Sequence, residues 1–391
     1  MAYRNSYQYK IIEKLTKLIY FKQGLFKTYA IINQNTNNMK NNSAVVLLFL
    51  IFAFLSALFL TSCSNNSPVT PNTEVTFDSA RYTWERIDIP YSNVRDFCVV
   101  DTNHIYFIRQ SNNQFITYID RQFNSISYTD NNFNATCIGN VNNMLYIGGY
   151  NIIDDKPMIQ RWNGTALENV PVPDYGTDFD LLFAFPMSNG EIWFSGASGK
   201  TLRVSGNNVY HYEFDSTRLV SNISNINGVI YAATTKDTEQ KNTSILRIYK
   251  FQSGTWSIAK EQTFSPSTEL DFFSPFVNSI ENHMYGLWGI GNIYDFDGLN
   301  LNKVLTLPEM IVNFRIAGTG LNEFTFPGWR NDFVAAGDGS VFNWNGNKMS
   351  VELRLYQTGL AYTTFYKNNS YLVLCATNSS FYADVLYIGK R

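Results

Sequence analysis

From about residue 80 onward, the chain alternates short apolar and aromatic runs with turns built on Asn and Gly. Seven such runs occupy 104–107, 144–147, 191–194, 229–232, 283–286, 332–335 and 371–374. Each follows an Asn: Asn103, Asn143, Asn189, Asn227, Asn282, Asn331 and Asn369. Asn and Gly accept positive φ, so an Asn turn ahead of an aromatic strand is a hairpin signal. A second set of runs follows at 115–118, 158–162, 201–204, 245–249, 292–296, 340–344 and 384–388. Several of these end in turn pairs such as Asn163-Gly164, Asp297-Gly298, Asn345-Gly346 and Ser253-Gly254, with a further strand beyond. One more apolar stretch lies upstream of each unit, as at 96–99 and 181–184, which makes four strands per unit.

The central anchors fall at residues 106, 146, 193, 231, 285, 333 and 372, spaced 38 to 54 residues apart. That period fits propeller blades; a leucine-rich solenoid repeats faster, and a helical repeat shows a 3.6-residue period. A pair of β-sandwiches is the structural runner-up, but it predicts no regular recurrence of this unit. The last unit stops after its third strand, near Tyr387, while the stretch around Trp84 reads as a fourth strand without a unit. Joining the two would complete a blade and remove an open edge. The expectation is therefore an all-β fold, a seven-bladed β-propeller of four-stranded antiparallel blades over 81–391, with the N-terminal strand completing the last blade.

Upstream the pattern changes. Residues 44–60 form an uninterrupted apolar run, the core of a signal helix, and end in Leu60-Thr61-Ser62-Cys63. An aliphatic residue, two small residues and a Cys resemble the lipobox of bacterial lipoproteins. That resemblance implies a lipid on the Cys63 thiol and cleavage just before it. It further implies a cell-envelope protein anchored to a membrane, with Ser64 favouring the outer membrane over inner-membrane retention. The alternative is a plain transmembrane anchor. Residues 64–80 are polar and contain prolines, as a flexible tether requires. Residues 39–63 make a self-sufficient signal peptide with the basic start Met39-Lys40. Residues 1–38 are then either a start-site artefact or a cytoplasmic extension, for which a basic amphipathic helix is the rival reading.

Asn331 to Gly346 matches most fully the blade pattern of bacterial β-propeller lipoproteins, in which an Asn-Asp-aliphatic-aromatic strand leads to a Trp-Asn-Gly turn. Residues 145–149 with 161–164 match next. The resemblance, of a kelch- or WD-like kind, implies architecture and no particular activity.

Composition adds exclusions. Residues 1–63 hold seven Lys or Arg and one acid, so the remainder carries 23 basic against 31 acidic residues, a net charge of −8. A phosphate-binding footprint is basic, so no nucleic-acid partner is expected. His104, His211 and His283 are too far apart along the repeat to converge on a metal or triad, and no Gly-rich phosphate loop or G-x-S-x-G elbow occurs. No catalytic residue, metal or cofactor is assigned. Cys98 and Cys137 fall on innermost strands of adjacent blades and could bridge; otherwise they and Cys375 are small buried thiols. Asp154-Asp155 and the pair Asp178 and Asp180 are the carboxylates a glycoside hydrolase or lyase would need. Trp288, Trp329, Arg330, Tyr150 and Tyr175 lie in less regular stretches and are the candidate ligand-binding residues, for a protein or carbohydrate partner of a monomeric ring. Binding or scaffolding is the expected role, with an envelope enzyme acting on a glycan as the alternative.

Overall fold

The computed structural model describes residues 77–78, 81–109, 114–177, 179, 181–196, 198–237, 244–264, 276–280, 282–288, 292–306, 310–312, 317–320, 323–330, 339–346, 348–355, 359–367, 370–378 and 383–391. The apolar run, Cys63 and most of the tether lie outside them, as do Asp178 and Asp180. No helix among the described residues is long and apolar enough to cross a membrane.

Every blade is an antiparallel sheet in which the chain runs from an inner strand outward. Blade 1 comprises Val94–Asp101, His104–Arg109, Gln114–Ile119 and Gln122–Ser127. Blade 2 comprises Phe133–Val141, Met144–Asn151, Pro157–Trp162 and Leu167–Val170. Blade 3 follows with Leu181–Pro186, Ile192–Gly196, Lys200–Ser205 and Asn208–Glu213. Blade 4 has Leu219–Ile226, Val229–Asp237, Ser244–Gln252 and Thr255–Phe264. Blade 5 has Phe276–Ile280, His283–Trp288, Asn292–Phe296 and Leu301–Thr306.

In blade 6 the inner position is shared by Met310–Val312 and Ala317–Gly320, followed by Glu323–Arg330, Gly339–Trp344 and Met349–Leu355. Blade 7 is Gly359–Lys367, Tyr371–Asn378 and Ala383–Lys390, completed by Thr83–Asp88 from the other end of the chain. Trp84 pairs with Gly389 and Ile87 with Leu386. The fold is the expected seven-bladed propeller, closed as the sequence predicts. Two details differ. Phe77–Asp78 adds a parallel pair to the outer strand of blade 6, opposite Met349 and Ser350. The second strand of blade 6 is Glu323–Arg330, ahead of the 332–335 run, which lies outside the described residues.

Two turn chemistries hold the hairpins. Asn142 and Asn143 have φ of 51° and 62°, and Asn227-Gly228 has 52° and 84°. Two successive positive φ values match the right-handed strand twist. The Gly of Asn163-Gly164, Asp297-Gly298 and Asn345-Gly346 also has positive φ, but there the Asn or Asp side chain accepts backbone N–H groups further along the turn, as Asp297 does from Leu299 and Asn300.

The core is divided among the blade interfaces. Among the described residues, one buried apolar cluster fills each of the seven gaps. Phe97 and Phe107 of blade 1 meet Val373 and Leu386 of blade 7. Leu372 and Val385 of blade 7 meet Val341 of blade 6. Trp193 of blade 3 meets Val220 and Ala232 of blade 4, and four further clusters fill the remaining gaps. Polar side chains tie inner strands to the neighbouring blade: Asp384 accepts from Val94 N at 2.6 Å, Asp96 from Ile138 N at 3.3 Å, and Ser195 donates to Val220 O at 2.9 Å. Thr136 Oγ1 donates to Leu181 O in the same manner. Inner strands of blades 1 to 4 each carry a bulge near their start, a register shift absent from the sequence reading.

Candidate functional site

Strand direction repeats around the ring, so turns joining first to second strands lie on one face. Loops joining second to third strands, and the crossings between blades, lie on the other. Tyr150, Trp288, Trp329 and Arg330 all sit at the far ends of second strands, in blades 2, 5 and 6, and Tyr175 lies in the crossing from blade 2 to blade 3. The five therefore share the second face but fall into two groups, Tyr150 and Tyr175 at blade 2 and Trp288, Trp329 and Arg330 at blades 5 and 6. Tyr150 is within a strand rather than a loop, and its hydroxyl accepts from Asn134 Nδ2 at 2.6 Å. Tyr175 stacks on His211 with centroids 4.5 Å apart and donates to Val209 O, packing onto the outer strand of blade 3. Trp288 ends its strand opposite Asn292, and Trp329 and Arg330 pair with Ile311 and Met310.

A hollow of about 290 Å³ on this face brings Tyr175 together with Asp154, Lys156, Met158 and Asp174. Lys156 Nζ bonds Asp174 Oδ2 at 2.8 Å, which holds the Asp174 carboxyl below its ordinary range and the ammonium above its own. Asp154 and Asp155 are solvated at the loop tip, Asp154 accepting from Lys156 N. These carboxylates have the neighbours of loop structure.

Histidines and cysteines likewise have local partners. His104 Nδ1 lies 2.9 Å from Asp101 and His283 Nδ1 lies 2.8 Å from Asp295. Burial lowers the His211 pKa, and no group of three metal-ligating side chains converges among the described residues. Cys98, Cys137 and Cys375 are free thiols, so the possible Cys98–Cys137 bridge is not formed. Burial, with Asp96 nearby, pushes the Cys98 thiol up to about 12, and Cys137 and Cys375 are raised as well.

The larger cavity, about 710 Å³, opens on the opposite face at the inner rim of blades 3 to 5. Phe185, Pro186, Met187 and Ser188 approach from the first hairpin of blade 3, Asn222 to Asn225 and Gly228 from that of blade 4, and Asn282 from that of blade 5. Its described wall carries amides, hydroxyls and apolar groups and no charge. Asn225 Oδ1 accepts from Gly228 N at 2.7 Å and Asn282 Oδ1 from Asn227 N at 3.4 Å, so both amide oxygens brace hairpin turns. Ser224 Oγ is buried with no hydrogen-bond partner among the described residues. A buried polar atom without a partner is uncommon and asks for an explanation.

None of these residues figured among the expected ligand contacts. The available signal was the inner strand Leu219–Ile226, in which Ser221, Asn222 and Ser224 are all buried polar residues. Read along the chain, Ser-Asn-Ile-Ser-Asn looks like a turn.

No family model matches the sequence, and comparison with curated proteins returns no match. Solved structures do match, through the fold. YCF48 bound to D1 peptide superposes with TM-score 0.55 at 12% identity, over 81% of this chain and 98% of that one. A streptogramin B lyase gives 0.54 at 11% identity, over 79% and 98%. The β-propeller domain of the Trilobed protease from Pyrococcus furiosus, described as having an open velcro topology, gives 0.51 at 9% identity, over 77% and 95%. At these identities the likeness is one of fold.

Proposed function

We propose that this protein is a lipid-anchored, extracytoplasmic binding propeller. Cys63 carries the lipid, residues 64–80 form the tether, and the closed ring presents a binding cavity between blades 3 and 5. The anchor is supported by Leu60-Thr61-Ser62-Cys63 after an uncharged apolar run. One acyl chain binds a membrane marginally and two or three bind stably, which suits a diacylated Cys.

Binding is carried by one observation: a cavity of about 710 Å³ lined by neutral amides and hydroxyls together with apolar side chains, a size and chemistry suited to holding a ligand. Much of the charge elsewhere on the ring is committed to pairs, as in Arg161–Glu168, Arg203–Glu191 and Arg247–Glu261. An uncharged wall that orients without titrating supports recognition over acid–base chemistry. The same ring geometry accommodates a peptide in one neighbour and belongs to a lyase in another.

Metabolic labelling with palmitate tests the anchor. The wild-type full chain takes up label and partitions to membranes, and Cys63→Ala does neither. Equal labelling of the two would remove the anchor. Binding is tested by affinity capture from envelope extracts with the detergent-solubilised full chain and with Ser188→Trp, which plugs the cavity mouth. Identical captures would remove the cavity from the reading.

A further inference from the structure

We infer that the cavity between blades 3 and 5 takes an uncharged saccharide, bound as a short oligomer. This deepens the binding reading above and is independent of the lipid anchor.

Three features of the wall carry the inference. First, its polar groups are neutral and of mixed sense. Asn amides donate and accept, and hydroxyls do both, which matches the hydroxyl pattern of a sugar ring. Asn225 and Asn282 hold turn amides through their oxygens, which fixes the amide planes and leaves the N–H₂ groups as the available half. Second, Ser224 lines the wall as a buried residue, and its Oγ lacks a partner among the described residues, so a ligand hydroxyl that reaches it would satisfy it. Third, Phe185 supplies an aromatic face at the same wall, set beside Phe183 with centroids 6.3 Å apart. The C–H face of a pyranose packs on such a ring, while its equatorial hydroxyls reach amides at the edge.

An acidic ligand finds no counter-charge on the described wall, and each uncompensated buried charge is strongly unfavourable. The volume exceeds what one sugar ring fills, so an oligomer of two or three rings is favoured over a monosaccharide.

The test uses the full chain in a polyoxyethylene detergent, which avoids sugar headgroups. Saturation-transfer NMR and calorimetry are run with cellotriose, maltotriose and tri-N-acetylchitotriose, their monosaccharides, trigalacturonate, and a Gly-Ser-Asn heptapeptide. At least one neutral trisaccharide should bind, more tightly than its monosaccharide and than trigalacturonate. Ser224→Val keeps the side-chain volume and should weaken binding roughly five- to tenfold, the effect of one lost hydrogen bond. Ser188→Trp, at an exposed turn, should abolish binding without moving the unfolding midpoint. Ile153→Ser, exposed on the opposite face, should leave affinity unchanged. If no neutral saccharide binds, or Ile153→Ser removes binding while Ser188→Trp does not, the inference is wrong. Should the peptide bind in a Ser188→Trp-sensitive way while all sugars fail, the saccharide is overturned and the binding cavity stands.

Discussion

Gly148 sits in the second strand of blade 2, close against Phe194 of blade 3. A Cβ there would lie 2.7 Å from the Phe194 ring and 2.9 Å from Cys137 Sγ, and both residues are fully buried. Neither can retreat without disturbing its own cluster, so Gly148→Ala should lose about 1–3 kcal/mol, read as a lower urea midpoint at unchanged slope. The three thiols give a second residue-scale test. With Cys63→Ala as background, Ellman's reagent at pH 8 should find almost no reactive thiol in the native ring and three after denaturation. One thiol after denaturation would mean that a bridge exists.

Glu191 is titrated by its surroundings in a defined sense. Burial works against its charge, yet hydrogen bonds from Arg203 and Asn189 outweigh this and hold the carboxyl below its ordinary value of 4.5. A carboxylate with a lowered folded pKa stabilises the fold above the unfolded value and loses that contribution as pH falls toward the folded one. Wild-type stability should therefore drop on acidification below about pH 4.5, and Glu191→Gln should show a flatter profile across the same window. Parallel profiles would refute this role. At this scale the turn Asn residues were readable because their chemistry is local. The contacts of Tyr175 with Val209 and His211 join distant segments, and Ser224 is buried by strands far along the chain, so neither leaves a local trace.

At the scale of elements, closure was legible because an unpaired strand pattern stood at each end of the repeat. The structure joins them by pairing Thr83–Asp88 with Ala383–Lys390, and Trp84 Nε1 donates to Glu352 O at 2.8 Å, so the same strand also grips blade 6. The two-residue pair Phe77–Asp78 was not legible, since two residues carry no periodicity. Glu323–Arg330 was misread for a different reason: Pro327-Gly328 looks like a break, yet Pro327 pairs with Val341 within the strand. Two truncations separate these contributions. A chain starting at residue 81 keeps the closing strand and should unfold within about 1 kcal/mol of the full chain. A chain starting at residue 89 bares Val385 to Ile388, all buried in the intact ring, and should bind a hydrophobic dye and unfold at a much lower midpoint. Similar midpoints for the two would mean that the closing strand contributes little.

For the whole molecule, the distribution of the core decides how it unfolds. No blade owns a core of its own; each buried cluster belongs to two neighbours, and the last blade closes on the first. An open array can lose an end repeat with only one interface broken, but any blade leaving a closed ring breaks two. Loss of one blade therefore weakens both adjacent blades, and the transition should be cooperative despite the chain's length. Phe107 lies in the gap between blades 7 and 1, and Phe296 between blades 4 and 5, on opposite sides of the ring. Each is almost fully buried, so truncation to Ala should remove about 3–5 kcal/mol. Both variants should shift one common transition, with far-UV circular dichroism and tryptophan fluorescence superimposing. If Phe296→Ala instead produces an early step that Phe107→Ala lacks, the blades unfold as separate groups. Closure would then constrain the ends without coupling the interfaces.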